Sequence, residues 1–181
     1  MNIFQNNDLE EDDELPYHWL EGDSLAPPCQ TDSETITALL ELIKPFASPE
    51  SILYDLGCGD GRICIKATER YECKSIGVEI EPPLVEKFQK KIETSELLKA
   101  KVTAKNESLL EVPFEEDATI IVLYLLPEAI ELIRDKLIRC LERNAVVVCN
   151  NWGIKGVQPT NIIHCGFANN VKLFLYTKSS L

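Results

Sequence analysis

The sequence predicts an α/β fold: a doubly wound, mostly parallel sheet with helices on both faces and one antiparallel member near its end. Three observations carry that prediction. From Ser51 onward, short apolar runs alternate with stretches of helical periodicity. The run Ile52-Leu53-Tyr54-Asp55-Leu56-Gly57-Cys58-Gly59-Asp60-Gly61-Arg62 takes an apolar strand directly into three glycines spaced two apart, ahead of a helix-forming stretch. The last part of the chain holds two strand-like runs, Thr160–Cys165 and Val171–Thr177, around Gly166 and Asn169-Asn170, which reads as a hairpin.

The elements follow in order. Thr31-Asp32-Ser33-Glu34 reads as a capping box with Thr31 at the cap. Ile36, Leu39, Leu40 and Ile43 recur at helical spacing behind it, and Pro45 stops the helix. Strand 51–56 leads through the glycines to a second helix ending near Tyr71. Strand Lys74–Ile80 precedes a helix opened by Pro82-Pro83, with Leu84, Val85, Phe88 and Ile92 on its inner side. Lys101–Lys105 is a short alternating strand. Ala118–Tyr124 is a continuous apolar run, the pattern of a central strand buried on both faces. Pro127 opens a helix whose Ile130, Ile133, Leu137 and Leu141 recur every three or four residues, and Ala145–Cys149 is another buried strand. Residues 26–181 therefore form one domain, and residues 1–25 a mobile acidic segment.

Composition narrows the function classes. The chain has 181 residues and a net charge of −12. Residues 1–23 hold eight acidic side chains and no Lys or Arg, and the remainder balances 22 acidic against 18 basic residues. Such a body offers no footprint for tight nucleic-acid binding through phosphates. No apolar run reaches the roughly 18 residues of a membrane span. The N-terminus lacks the features of a secretory signal or transit peptide, so cytosol, with the nucleus as the other option, is the expected location. Cys29, Cys58, Cys64, Cys73, Cys140, Cys149 and Cys165 form no CxxC pair and no cluster with His18 or His164. Reduced, buried thiols and no metal site are expected.

The glycine run carries the chemistry. Glycines in that spacing let the backbone turn sharply and approach a ligand where a Cβ would clash, over a helix N-terminus with its free N–H groups. Two cofactors compete for such a cradle. A dinucleotide fingerprint wants a glycine where Arg62 stands, and it does not welcome Asp55 beside a pyrophosphate, because like charges repel. S-adenosylmethionine carries no phosphate; its methionyl end holds a sulfonium and an ammonium, which suit an acidic neighbour. Glu79 ends the second strand, where a carboxylate can accept both ribose hydroxyls, with Ile80 and Leu84 against the adenine face.

With Asp55-x-Gly57-x-Gly59-x-Gly61, Glu79 and Asn106-Glu107-Ser108 in that order, residues 31–181 resemble the class I, seven-strand S-adenosylmethionine-dependent methyltransferases. Tyr54–Arg62, Gly77–Val85 and Leu123-Tyr124-Leu125-Leu126-Pro127 together look like one branch of them. That branch includes the lysine methyltransferases of the ATP synthase c-subunit and the adenine nucleotide translocase. The resemblance implies a Rossmann-like sheet of order 3-2-1-4-5-7-6 with strand seven antiparallel. It implies a cofactor site of Thr31, Asp55, Gly57, Cys58, Gly59, Glu79, Ile80, Asn106, Glu107 and Leu123, with Thr31 reaching the carboxylate end. Glu107 stands where relatives usually carry the acidic residue for the adenine amino group. The membrane anchor of the mitochondrial members is missing, so their location and substrates do not carry over.

The run after the fourth strand points toward the acceptor. Enzymes of the superfamily that methylate base amino groups carry Asp/Asn-Pro-Pro-aromatic there, whereas this chain has Tyr124-Leu125-Leu126-Pro127. An apolar, aromatic-walled exit suits a lysine side chain, because desolvation favours the neutral amine that must attack. Tyr124 is the candidate catalytic residue. Tyr124, Trp152, Tyr17 and Trp19 are candidate walls of that exit, and Asn150 and Asn151 candidate polar positioners. The expected activity is protein lysine N-methylation. The alternatives are a small-molecule methyltransferase with the N-terminal segment as a lid, and a non-catalytic partner subunit of the same fold.

Overall fold

The structure, a computed structural model, describes residues 30–181. The acidic head, the aromatic run that includes Tyr17 and Trp19, and Cys29 lie outside the described residues, as does the expected boundary at residue 25.

Seven strands alternate with helices: α1 (Ser33–Ile43), β1 (Ile52–Leu56), α2 (Arg62–Tyr71), β2 (Lys74–Glu79), α3 (Pro82–Ile92), α4 (Glu96–Lys101), β3 (Val102–Asn106), β4 (Ile120–Leu123), α5 (Pro127–Glu142), β5 (Val146–Asn150), β6 (Asn161–Cys165) and β7 (Val171–Tyr176). The sheet order is β3-β2-β1-β4-β5-β7-β6. β7 runs antiparallel to both β5 and β6, and the other pairings are parallel. The fold class read from the sequence is therefore the one observed.

Alternation of side chains across each strand divides the core in two. Leu53, Ile120, Val122, Val146 and Val148 pack against α1, α2 and α3 through Ile36, Leu39, Ile63, Ala67 and Phe88. Leu56, Ile121, Leu123, Val147 and Cys149 pack on the other side against α5 through Ile130, Ile133, Leu137 and Leu141. The central strands are covered on both faces, which is why β4 reads as an unbroken apolar run.

Two local expectations are corrected. The cap of α1 is Asp32, not Thr31: the Asp32 carboxylate accepts the Thr35 N–H at 2.8 Å and the Thr35 hydroxyl at 2.7 Å. Asp32 is a better cap because an ionised carboxylate makes the stronger bond to a backbone N–H. The helix α4 was not anticipated, and it takes Lys101 out of the expected third strand. Its six residues bury only Leu98, too little to show a period.

The register brings the carboxyl ends of the parallel strands to one level. Leu56 pairs with Val78 on one side and Leu123 on the other, Glu79 pairs with Asn106, and Leu123 pairs with Cys149. Strand order reverses at β1, which has β2 and β4 as neighbours. Ligands of open α/β sheets bind in the crevice outside such a switch point.

Candidate active site

β1 delivers Asp55 and then the glycine loop to that crevice. The Gly57 and Cys58 N–H groups both donate to the Val78 carbonyl, at 2.9 and 3.0 Å, so the loop is tied to β2 as it leaves the sheet. Gly57, Gly59 and Gly61 all have positive φ. The last two differ in what their missing side chains leave. A Cβ on Gly61 would come within 2.0 Å of the Phe88 ring, so this glycine serves packing of the loop on α3. A Cβ on Gly59 would meet no atom within 4 Å, so this position opens onto free space.

Asp55 is 3% exposed, and its Oδ2 atom has no hydrogen-bond partner among the described residues. Burial, with the Glu79 and Asp60 charges in second place, pushes its carboxyl up to about 8. A buried carboxylate without a counter-charge is an expensive feature to maintain unless a cation completes it. It fits the cationic methionyl end expected there.

Glu79 is buried at the end of β2 and is held by three backbone donors. Its Oε2 accepts from Gly59 N at 2.9 Å, and its Oε1 accepts from Ile80 N at 2.8 Å and Glu81 N at 3.0 Å. The side chain that the sequence assigns to the ribose thus also braces the glycine loop. Ile80 next to it is 64% exposed, an apolar surface without a partner in the core. Asn106 donates from Nδ2 to the Glu79 and Ile80 carbonyls, both at 3.0 Å, fastening the end of β2 to β3. Glu107 is exposed, with Lys105 Nζ at 3.9 Å.

The remaining sequence-derived positions divide. Cys58 is buried under the loop, and burial raises its thiol well above the ordinary value. Leu123 is fully buried with its side chain in the α5-facing core. Thr31 is buried, and its carbonyl accepts from Arg62 Nη1 at 3.5 Å. Among the described residues no group of three His, Cys, Asp or Glu side chains is arranged to hold a metal.

Asp60 has a part the sequence did not reveal. Only 5% exposed, it pairs with Arg62 through two bonds of 3.0 and 2.9 Å and with Lys91 Nζ at 2.8 Å. Despite the cost of burial, these two cations hold its carboxyl down at about 2. Arg62 also donates to the Gln30 side chain, so one guanidinium links the loop to the segment entering α1. Asp60 and Arg62 are visible in the sequence as an i, i+2 pair; Lys91 is 31 positions from Asp60 and only the fold brings it in.

At the ends of β4 and β5 a second cluster forms. The Tyr124 and Trp152 rings stack, with centroids 5.9 Å apart and planes at 22°. Asn151 donates from Nδ2 to the Tyr124 hydroxyl at 3.2 Å. Trp152 is aimed there by a tight reversal after β5: its N–H donates to the Asn150 carbonyl at 2.8 Å, with Asn151 between them at φ +65°. A three-residue turn of that hand is strained for a residue with a side chain.

The family described as the ANTKMT methyltransferase domain matches residues 55–161. A protein-lysine N-methyltransferase of Saccharolobus islandicus is 32% identical over 152 residues, which are 83% of this chain and 92% of that protein. A ribosomal protein L11 methyltransferase of Clostridium botulinum is 24% identical over 74% of this chain and 42% of its own. Among solved structures, an RNA methyltransferase from Salinibacter ruber in complex with S-adenosyl-L-homocysteine superposes with a TM-score of 0.74 and 28% identity, over 82% of this chain and 93% of that one.

Proposed function

The chain belongs to the ANTKMT methyltransferase domain family and is an S-adenosylmethionine-dependent methyltransferase; from that premise we propose that it methylates protein, on the ε-nitrogen of lysine. The observation that carries this reading is the stacked Tyr124–Trp152 pair at the carboxyl edge of β4 and β5. An aromatic wall suits the aliphatic stem of lysine and strips water from its amine. The run Leu125-Leu126-Pro127 after Tyr124 supplies no carboxylate or amide for an exocyclic base nitrogen. The protein-lysine N-methyltransferase named among the relatives supports the same acceptor.

The residues divide the work by position. When bound, S-adenosylmethionine supplies an electrophilic methyl group on a sulfonium. Asp55 Oδ2 receives the cationic methionyl end, and Gly59 leaves the space for it to approach. Glu79, already oriented by three N–H donors, retains about one of the roughly four acceptor sites of a carboxylate, enough to take one ribose hydroxyl. Ile80 offers its exposed apolar side to the adenine, and Asn106 keeps that strand end in place. Tyr124 and Trp152 hold the acceptor in line and exclude water; alignment and desolvation are the main requirements of such a transfer.

The Salinibacter ruber neighbour is named for RNA, and the charge of this chain argues against that acceptor here. Incubating the full chain with methyl-labelled S-adenosylmethionine and cell extract separates the cases. Label is expected in protein. Label confined to RNA or to small molecules, with none in protein, overturns the lysine reading.

A further inference from the structure

Asn150 ends β5 and is only 3% exposed, and its Oδ1 has no hydrogen-bond partner among the described residues. Buried amide oxygens are nearly always bonded, and each exception needs a reason. Its place in the sheet suggests one. Asp55 pairs with Val122, Val122 pairs with Val148, and Asn150 lies two residues beyond Val148 on the same side of the sheet. At about 4.8 Å per strand and 3.3 Å per residue, the two backbones are on the order of 12 Å apart along one face of the carboxyl edge. Two buried side-chain oxygens without partners therefore stand on the same face, one on each side of β4. Asp55 suits a cation, and Asn150, an uncharged acceptor, suits an N–H group.

The surroundings of Asn150 are already engaged. Its own carbonyl accepts from Trp152, and the Asn151 amide donates to the Tyr124 hydroxyl while its Oδ1 accepts from Lys172 N at 3.4 Å. The strained turn at Asn151 thus builds the aromatic wall and leaves the neighbouring amide oxygen unspent.

We propose that Asn150 Oδ1 is the hydrogen-bond acceptor for the nitrogen being methylated. This rests on the amine reading above. A neutral primary amine has one lone pair and two N–H bonds. Holding one N–H on Asn150 leaves the lone pair free to point at the methyl carbon. The nitrogen lone pair then forms the N–C bond as the S–C bond breaks with its electron pair left on sulfur, and the product ammonium releases a proton to water. Asn150 takes no proton; it binds the acceptor and sets its direction.

The test compares the full chain with Asn150→Leu and Asn150→Asp. An oxygen kept unpaired for a substrate weakens the free protein, so Asn150→Leu is expected to raise Tm by about 2–4 °C. Calorimetric binding of S-adenosyl-L-homocysteine is expected to stay within about twofold, while the rate of protein labelling in extract falls about 100-fold. Asn150→Asp keeps an acceptor oxygen and is expected to recover part of that rate. A lower Tm for Asn150→Leu, or undiminished labelling by it, overturns the proposal alone. A wild-type chain that labels no protein amine overturns the lysine reading and this proposal with it.

Discussion

Asp55, near the end of β1, and Asp60, in the glycine loop that follows, are five residues apart, and their surroundings drive them in opposite directions. Asp60, between Arg62 and Lys91, is ionised down to about pH 2. Asp55, buried without a cation, is held up to about 8. For Asp55 the folded value lies above the ordinary 3.8, so the ligand-free chain loses this contribution to stability as pH rises from 3.8 toward 8. Thermal melts across that window should show a falling Tm that flattens in Asp55→Asn. With Asp55 proposed to receive the cationic methionyl end as a carboxylate, calorimetry below about pH 8 should register proton release on binding, and Asp55→Asn should weaken affinity by about 10-fold or more. Proton release unchanged by Asp55→Asn would remove Asp55 from the cofactor site. The position of Asp55 was legible because the glycines mark it. The anchoring of Asp60 was not, because its second cation lies on α3 and no local pattern announces it.

At the scale of elements, the glycine loop separates packing from binding. Gly61→Ala puts a Cβ into the Phe88 ring at 2.0 Å and a side chain at φ +77°, so it is expected to destabilise the fold by about 2 kcal/mol or more in denaturant melts. Gly59→Arg places its side chain in open space at φ +57°, and is expected to leave a folded chain that no longer binds S-adenosyl-L-homocysteine. If both variants lost stability equally, the division of roles would be wrong. Strands, the long helices and the terminal hairpin were all readable, because each carries several turns or alternations of apolar residues. α4 was not, with one buried side chain in six residues. Nor was the conformation of the turn at Asn151, a residue type that tolerates positive φ and stands at +65° just past the last β5–β7 pair. That turn carries Trp152 onto Tyr124, so the sequence could name both as walls of one exit but not their stacking.

The whole molecule puts these parts at one edge of a sheet. Helices on both faces bury the centre, strand order reverses at β1, and the chemistry-bearing side chains collect at the carboxyl ends of β1, β2, β4 and β5. Such an arrangement follows from βα repetition, which is why the topology could be read before the structure. The acceptor could not be read with the same directness, since it depends on a surface formed by loops from different strands. Among the described residues no helix is long and apolar enough to cross a membrane. The net negative charge, most of it in residues 1–23, disfavours nucleic acid as the partner and suits a basic one. The most direct measurement is identification of the methylated atom: digest of the labelled extract protein followed by mass spectrometry of the modified peptides. Methyl groups are expected on lysine ε-nitrogens, all reduced together in Asp55→Asn at limiting S-adenosylmethionine. Methyl groups on carboxyl, guanidinium or amide side chains, or on RNA with protein unmodified, would contradict that expectation.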